Sequence, residues 1–258
     1  VTGRFEALSR GLADAVSAHP QLTGLVLLGS SSEVAAARRD EWSDHDFFAI
    51  IEPGSGAALR PDLSWLPEQE RIVLTAREGE LGFAALYDDG HLAEFAFAEL
   101  GELAAAGVGE ATVAVDDAEG ALAAFVASAQ QRNAAAPLPD PANDVRLVLL
   151  KLLIGVGRAR RGEVLTAGEF VRTWAVQHLV RAIRGRAGWT AGVRDGLDPV
   201  RRFEQEFPAE GARIAVAVAQ PVEEAARELM ALTRELLEPG WSEFPTDAAE
   251  VVAARLGW

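Results

Sequence analysis

The sequence contains no cysteine. Disulfides, thiolate nucleophiles and zinc–thiolate centres are therefore excluded. Basic side chains are scarce: 24 Lys and Arg stand against 39 Asp and Glu, for a formal charge of −15, and Lys151 is the one lysine. A nucleic-acid partner needs a basic footprint and an anionic membrane repels such a chain, so neither is expected. Long apolar runs are also missing. Leu147-Val148-Leu149-Leu150 is broken at once by Lys151, and no stretch approaches a membrane span. Val1-Thr2-Gly3-Arg4 has no basic-then-apolar leader pattern, which leads to the expectation of a cytoplasmic protein. There is no Walker A pattern, no Gly-x-Ser-x-Gly elbow and no evident Ser/His/Asp triad.

What remains is globular in character. Of 258 residues, 49% are hydrophobic and 24% charged, enough for a sizeable core in one large domain or two modest ones. Phe5, Leu8, Leu12 and Val16 recur at helical spacing, and Pro20 closes that helix. Leu22 to Leu28 is a short apolar strand ending in Gly29-Ser30; Ser31 to Arg39 reads as a short helix, and His45 to Ile51 as a second buried strand. Residues 53–69 read as loop. Arg71 to Thr75, Leu81 to Tyr87 and His91 to Phe97 are strand candidates, with a hairpin signal at Asp88-Asp89-Gly90. Glu99 to Ala106 and Ala118 to Gln131 read as helices around a short Thr112 to Val115 run.

Three prolines between Ala134 and Ala142 mark a boundary, so the expected layout is residues 1–133, a linker 134–143 and residues 144–258. Beyond it Asp144 to Arg161, Thr166 to Arg184, Asp198 to Glu206, Ala209 to Val218, Pro221 to Leu237 and Asp247 to Leu256 read as helices, with Asp144, Thr166, Asp198 and Asp247 as N-caps. The expected class is α+β: a mixed-sheet first domain followed by an all-helical one.

The chemistry is concentrated between residues 29 and 50. Gly29-Ser30 follows one apolar strand, and Asp44-His45-Asp46 opens the next. Side chains alternate along a strand, so Asp44 and Asp46 share one face and His45 takes the other. Two carboxylates there repel each other and resist desolvation, and a divalent cation relieves both costs. All-oxygen ligation points to Mg²⁺. Glu94 is the acidic residue within the otherwise apolar 91–97 strand, where it needs a partner or water.

Gly-Ser, a spacer and Asp-x-Asp between hydrophobics resemble the signature of the DNA polymerase beta nucleotidyltransferase superfamily. Trp42-Ser43-Asp44-His45-Asp46-Phe47, Glu94-Phe95-Ala96-Phe97 and Gly155 to Glu163 are similar to the two-domain lincosamide nucleotidyltransferases, and the first motif also to aminoglycoside adenylyltransferases. The resemblance implies a nucleotidyltransferase domain followed by a helical bundle, with substrate bound between them. It further implies Mg²⁺ on Asp44, Asp46 and Glu94, and a nucleoside triphosphate such as ATP at Gly29 and Ser30. Glu94 would serve as base or second-metal ligand, a drug hydroxyl would be the acceptor, and a homodimer is one form the family takes. Two departures stand out: the spacer is longer than usual, and Ser31, Ser32 and Glu33 occupy positions that often carry basic or glycine residues.

Arg38 or Arg39 is the candidate for the missing positive charge, against an exposed helix face. Lys151 is a candidate for the triphosphate, against a snorkelling surface lysine. Trp174, Gln177, His178 and Arg181 form one helical stripe, either acceptor pocket or core. His45 is expected to be structural. The acidic charge favours a small cationic, hydroxyl-bearing acceptor, with Glu99, Glu102 and Glu169 as candidates to pair with its amines. The competing reading is a silent or toxin–antitoxin-type binding protein of the same fold, or an enzyme that nucleotidylates a protein.

Overall fold

The structure, a computed structural model, describes residues 2–117, 119–135, 138–188 and 198–258. The chain divides into two compact units, Val1–Ala136 and Pro137–Trp258. Part of the expected linker, residues 136 and 137, lies outside the described residues.

The first unit contains a six-stranded mixed sheet in the order β3-β4-β5-β2-β1-β6. Its strands are β1 (Leu22–Leu28), β2 (His45–Ile51), β3 (Ile72–Glu78), β4 (Gly82–Tyr87), β5 (Leu92–Glu99) and β6 (Ala111–Val115). β2 and β5 run parallel, and the other neighbouring pairs are antiparallel. Helix α1 (Thr2–Ala18) covers one face, where Leu8, Leu12 and Val16 join Phe47, Ala49, Ile51, Phe95 and Phe97 in one core. Helix α3 (Ala121–Ala134) covers the other, where Leu122 and Val126 meet Val26, Ile50 and Ala98. Period-two alternation thus sends residues 47, 49 and 51 of β2 toward α1 and residue 50 toward α3. Gly24 makes room for that second layer, since a Cβ there would lie 2.4 Å from Leu122 Cδ2.

Several local expectations fail for identifiable reasons. Ser31 to Arg39 is not an α-helix but two 3-10 segments, Gly29–Ser31 and Glu33–Arg38, because side-chain hydroxyls and Arg39 bind the backbone carbonyls there. The helix expected at Glu99 to Ala106 is only a 3-10 turn, Leu100–Leu103, because pairing with Ile51 keeps Glu99 in the sheet. A one-turn helix, α2 (Gly56–Leu59), interrupts the 53–69 loop.

The second unit is helical: α4 (Pro141–Arg160), α5 (Val164–Gly168), a π-helical segment Glu169–Ala175, α6 (Val176–Arg186), α7 (Phe203–Glu206), α8 (Pro208–Val218), α9 (Val222–Leu237) and α10 (Thr246–Leu256). One core runs through it from Val145 and Val148 on α4 to Leu229 on α9 and Val252 on α10. Asp144 is not the N-cap of α4. Asp140 is, accepting Ala142 and Asn143 N–H, with Pro141 in the first turn where its missing N–H costs nothing. Thr166 lies inside α5, which begins after Glu163. Asp198 accepts Val200 N–H, but the helix after it spans only Phe203–Glu206. Pro245 occupies the cap position of α10, and Asp247 sits in its first turn, where its charge favours the helix dipole. Among the described residues, no helix is long and apolar enough to cross a membrane.

Candidate active site

Alternation decides where the acids go. Residues 47, 49 and 51 of β2 face α1, so Asp46 projects from the opposite face with Phe48 and Ile50. On β5, Ala93, Phe95 and Phe97 face α1, so Glu94 projects to the same side as Asp46. Asp46 and Glu94 are register partners across the parallel pair. Asp44, just before β2, completes a group of three carboxylates, one oxygen of each lying within 4.8 Å of the other two. Asp44 and Asp46 are half-buried and Glu94 is exposed, so the group is open to water and ligand. The Glu94 carboxylate makes no hydrogen bond or ion pair among the described residues. Three hard oxygen donors at that separation fit a cation such as Mg²⁺.

The turn after β1 is built against these acids. Gly29 has φ of +50°, a conformation that costs glycine little, and an ideal Cβ there would stand 3.7 Å from Asp46 Oδ2. Its N–H donates to Glu110 O at 2.9 Å. Ser30 Oγ lies 3.0 Å from Asp44 O and 3.2 Å from Asp44 Oδ1, so its hydroxyl steadies the carboxylate.

Ser31 and Ser32 carry a function that the spacing did not reveal. Ser31, 1% exposed, has its Oγ 2.6 Å from both Leu28 O and Asp46 O, and accepts Leu28 N–H at 2.9 Å. It joins the end of β1 to the start of β2. Ser32 Oγ donates to Gly29 O at 2.7 Å and tightens the turn. A run of small hydroxyl residues beside a glycine is the signal that could have found them.

The candidate phosphate cations are placed differently from one another. Arg38 is ion-paired with Glu110. Arg39 donates from Nε to Ser30 O at 2.8 Å and from a terminal nitrogen to Ser31 O and Ser32 O at 3.1 and 2.9 Å. It therefore braces the turn from the carbonyl side. Lys151, on α4 of the second unit, holds its ammonium 5.6 Å from the Phe170 ring and 5.2 Å from the Trp174 ring, a cation–π seat. Of the Trp174–Arg181 stripe, His178 and Arg181 both bind Asp144, which is only 2% exposed, each at 2.8 Å. That part of the stripe joins α6 to α4 around the buried Asp144 carboxylate. Glu102 pairs with Arg60, and Glu99 accepts Gly56 N–H at 3.4 Å.

His45 faces away from the acids, as alternation requires. It is fully buried, stacked on Phe5 at 3.9 Å between centroids, with Nε2 2.8 Å from Ser9 Oγ and Nδ1 2.6 Å from His91 Nε2. Burial, then the nearby His91, Arg39 and Arg4, push its pKa down to about 3. It is neutral at ordinary pH.

No protein-family model matches the chain, and no curated protein does. Among solved structures, a nucleotidyltransferase-like protein from Exiguobacterium sibiricum 255-15 overlaps 89% of this chain and 74% of its own, at 12% identity and a TM-score of 0.34. A score that low leaves activity to be argued from the residues.

Proposed function

We propose that the first unit is a nucleotidyltransferase, moving a nucleoside monophosphate from a triphosphate, ATP foremost, to a hydroxyl of a small cationic molecule such as an aminoglycoside or lincosamide. The observation that carries the reading is the grouping of Asp44, Asp46 and Glu94 within 4.8 Å, beside a positive-φ glycine turn. Asp44 and Asp46 would hold Mg²⁺, which neutralises phosphate charge and orients the triphosphate when bound. Glu94 accepts the proton of the acceptor hydroxyl or adds a metal ligand. The hydroxyl oxygen attacks the α-phosphorus and pyrophosphate leaves. An alkyl hydroxyl is a weak nucleophile at neutral pH, so a carboxylate within reach supplies what it lacks. Ser30 fixes Asp44, and Gly29 takes the positive-φ turn beside Asp46. The net charge of −15 supports a cationic acceptor, because a field of that sign attracts ammonium groups.

The test is incubation with Mg²⁺, each nucleoside triphosphate and a panel of aminoglycosides and lincosamides, read by mass. An acceptor heavier by one nucleoside monophosphate is expected. No adduct on any acceptor, together with no binding of Mg²⁺ and ATP, would overturn the reading.

A further inference from the structure

We infer that helix α1 aligns the two halves of the carboxylate site through a buried brace, Ser9–His45–His91 with Phe5 and Arg39, and that His45 is a positioning residue for Asp44 and Asp46. The inference rests on the proposed metal-binding role of those acids.

His45 lies between the two aspartates in sequence and on the opposite face of the strand. Whatever fixes its ring fixes the twist of the strand that aims both carboxylates. Three contacts fix it: the stack on Phe5, the bond to Ser9 and the bond to His91. Ser9 Oγ also donates to Phe5 O at 3.2 Å. One arrangement satisfies the whole chain: His45 Nε2–H donates to Ser9 Oγ, and His91 Nε2–H donates to His45 Nδ1. His91 stands just before β5, so the relay reaches the strand that carries Glu94 as well.

The same Phe5 reaches the Gly-Ser turn. The Arg39 guanidinium lies 4.8 Å from the Phe5 ring centroid while it binds the carbonyls of Ser30, Ser31 and Ser32. One residue of α1 therefore touches the anchor of the turn and the anchor of the acidic strand. Burying an imidazole costs free energy that an apolar side chain would not. Phe47, Ala49 and Ile51, the next residues on this face, are all apolar. Directional hydrogen bonds specify a single ring orientation, which apolar packing does less well.

The experiment titrates Mn²⁺ as the probe into the full chain, followed by electron paramagnetic resonance and calorimetry. Ser9→Ala, Phe5→Leu and His45→Phe are expected to weaken Mn²⁺ binding about tenfold or more, the scale seen when the supports of metal ligands are removed. Ser9→Thr restores the hydroxyl and should restore affinity. Leu12→Ala, a core truncation on the same helix, reports mere destabilisation and should leave affinity unchanged wherever urea melting shows the protein folded. Unaltered Mn²⁺ affinity in folded Ser9→Ala and Phe5→Leu would overturn the inference, as would an equal loss in Leu12→Ala. If the unmutated chain binds no Mn²⁺, the metal-site reading itself falls and the inference with it.

Discussion

Asp46 and Glu94 face each other across the parallel β2–β5 pair, each the register partner of the other. Neighbouring strands stand about 4.8 Å apart, so the two carboxylates cannot avoid one another's field. Asp44, one pleat earlier on the same face, adds a third negative charge. A cation held there, as proposed, would turn that mutual repulsion into shared coordination.

Glu94→Gln is expected to lower turnover by about 10²–10⁴-fold, the range for loss of a general base, while Mg²⁺ and ATP still bind. Asp46→Asn is expected to lose both metal binding and turnover. Glu94→Gln should not lower the melting temperature, because it removes one charge from a repelling set. Adduct formation by mass, nucleotide titration and a thermal melt check this together. Near-normal turnover in Asp46→Asn would count against the assignment.

Gly29→Ala is expected to cost about 1–2 kcal/mol, because an L side chain is strained in the left-handed region. Crowding is not the reason: the added methyl would meet Asp46 Oδ2 at 3.7 Å, an ordinary contact. Urea unfolding of the variant measures the loss. An unchanged midpoint would mean that the turn relaxes.

Stability is expected to fall on acidification from about pH 6.5 toward pH 3. The unfolded His45 takes a proton below its ordinary 6.5, whereas the folded one refuses it down to about 3. Within that window the unfolded chain binds more protons, so stability rises with pH, by about 1.4 kcal/mol per pH unit for one such group. Burial lowers the pKa of His91 too and adds in the same direction. Urea melts at a series of pH values test this, and the slope should flatten in His45→Phe. An equally steep slope in that variant would remove His45 as the cause.

Gly155→Ala is expected to destabilise the chain by about 1–3 kcal/mol, the usual cost of overpacking. A Cβ at Gly155 would lie 2.6 Å from Val171 Cγ2 and 3.1 Å from Phe170 Cβ, and Val171 is fully buried. A chemical melt shows it, and a neutral result would mean that α4 and the π segment can part freely.

The acids were legible in the sequence because their signal is local: period-two alternation around Asp44 and Asp46, and one charge inside the apolar 91–97 run. The sheet elements were legible for the same reason. The brace behind them was not. Phe5 and Ser9 look like ordinary positions of an amphipathic helix, and only the fold brings them to His45, 36 residues beyond Ser9. Asp144 misled because an acid at the start of an apolar helix reads as a cap. Asp140 before Pro141 is the better cap, which leaves Asp144 to bind side chains 34 and 37 residues away. Arg39 likewise looks exposed in sequence until the 3-10 turns fold its carbonyl partners around it.

The π-helical segment Glu169–Ala175 joins α5 to α6, and it sets how this helix tolerates a change of length. Its wider turn absorbs one extra residue locally. Deleting a residue inside 169–175 therefore rewinds the segment as ordinary α-helix and leaves both flanks in phase, with His178 and Arg181 still on Asp144. The same deletion between His178 and Arg181, inside the regular turns of α6, has no slack to take up. It turns Arg181 by about 100° relative to His178, so the two no longer reach their buried acid together.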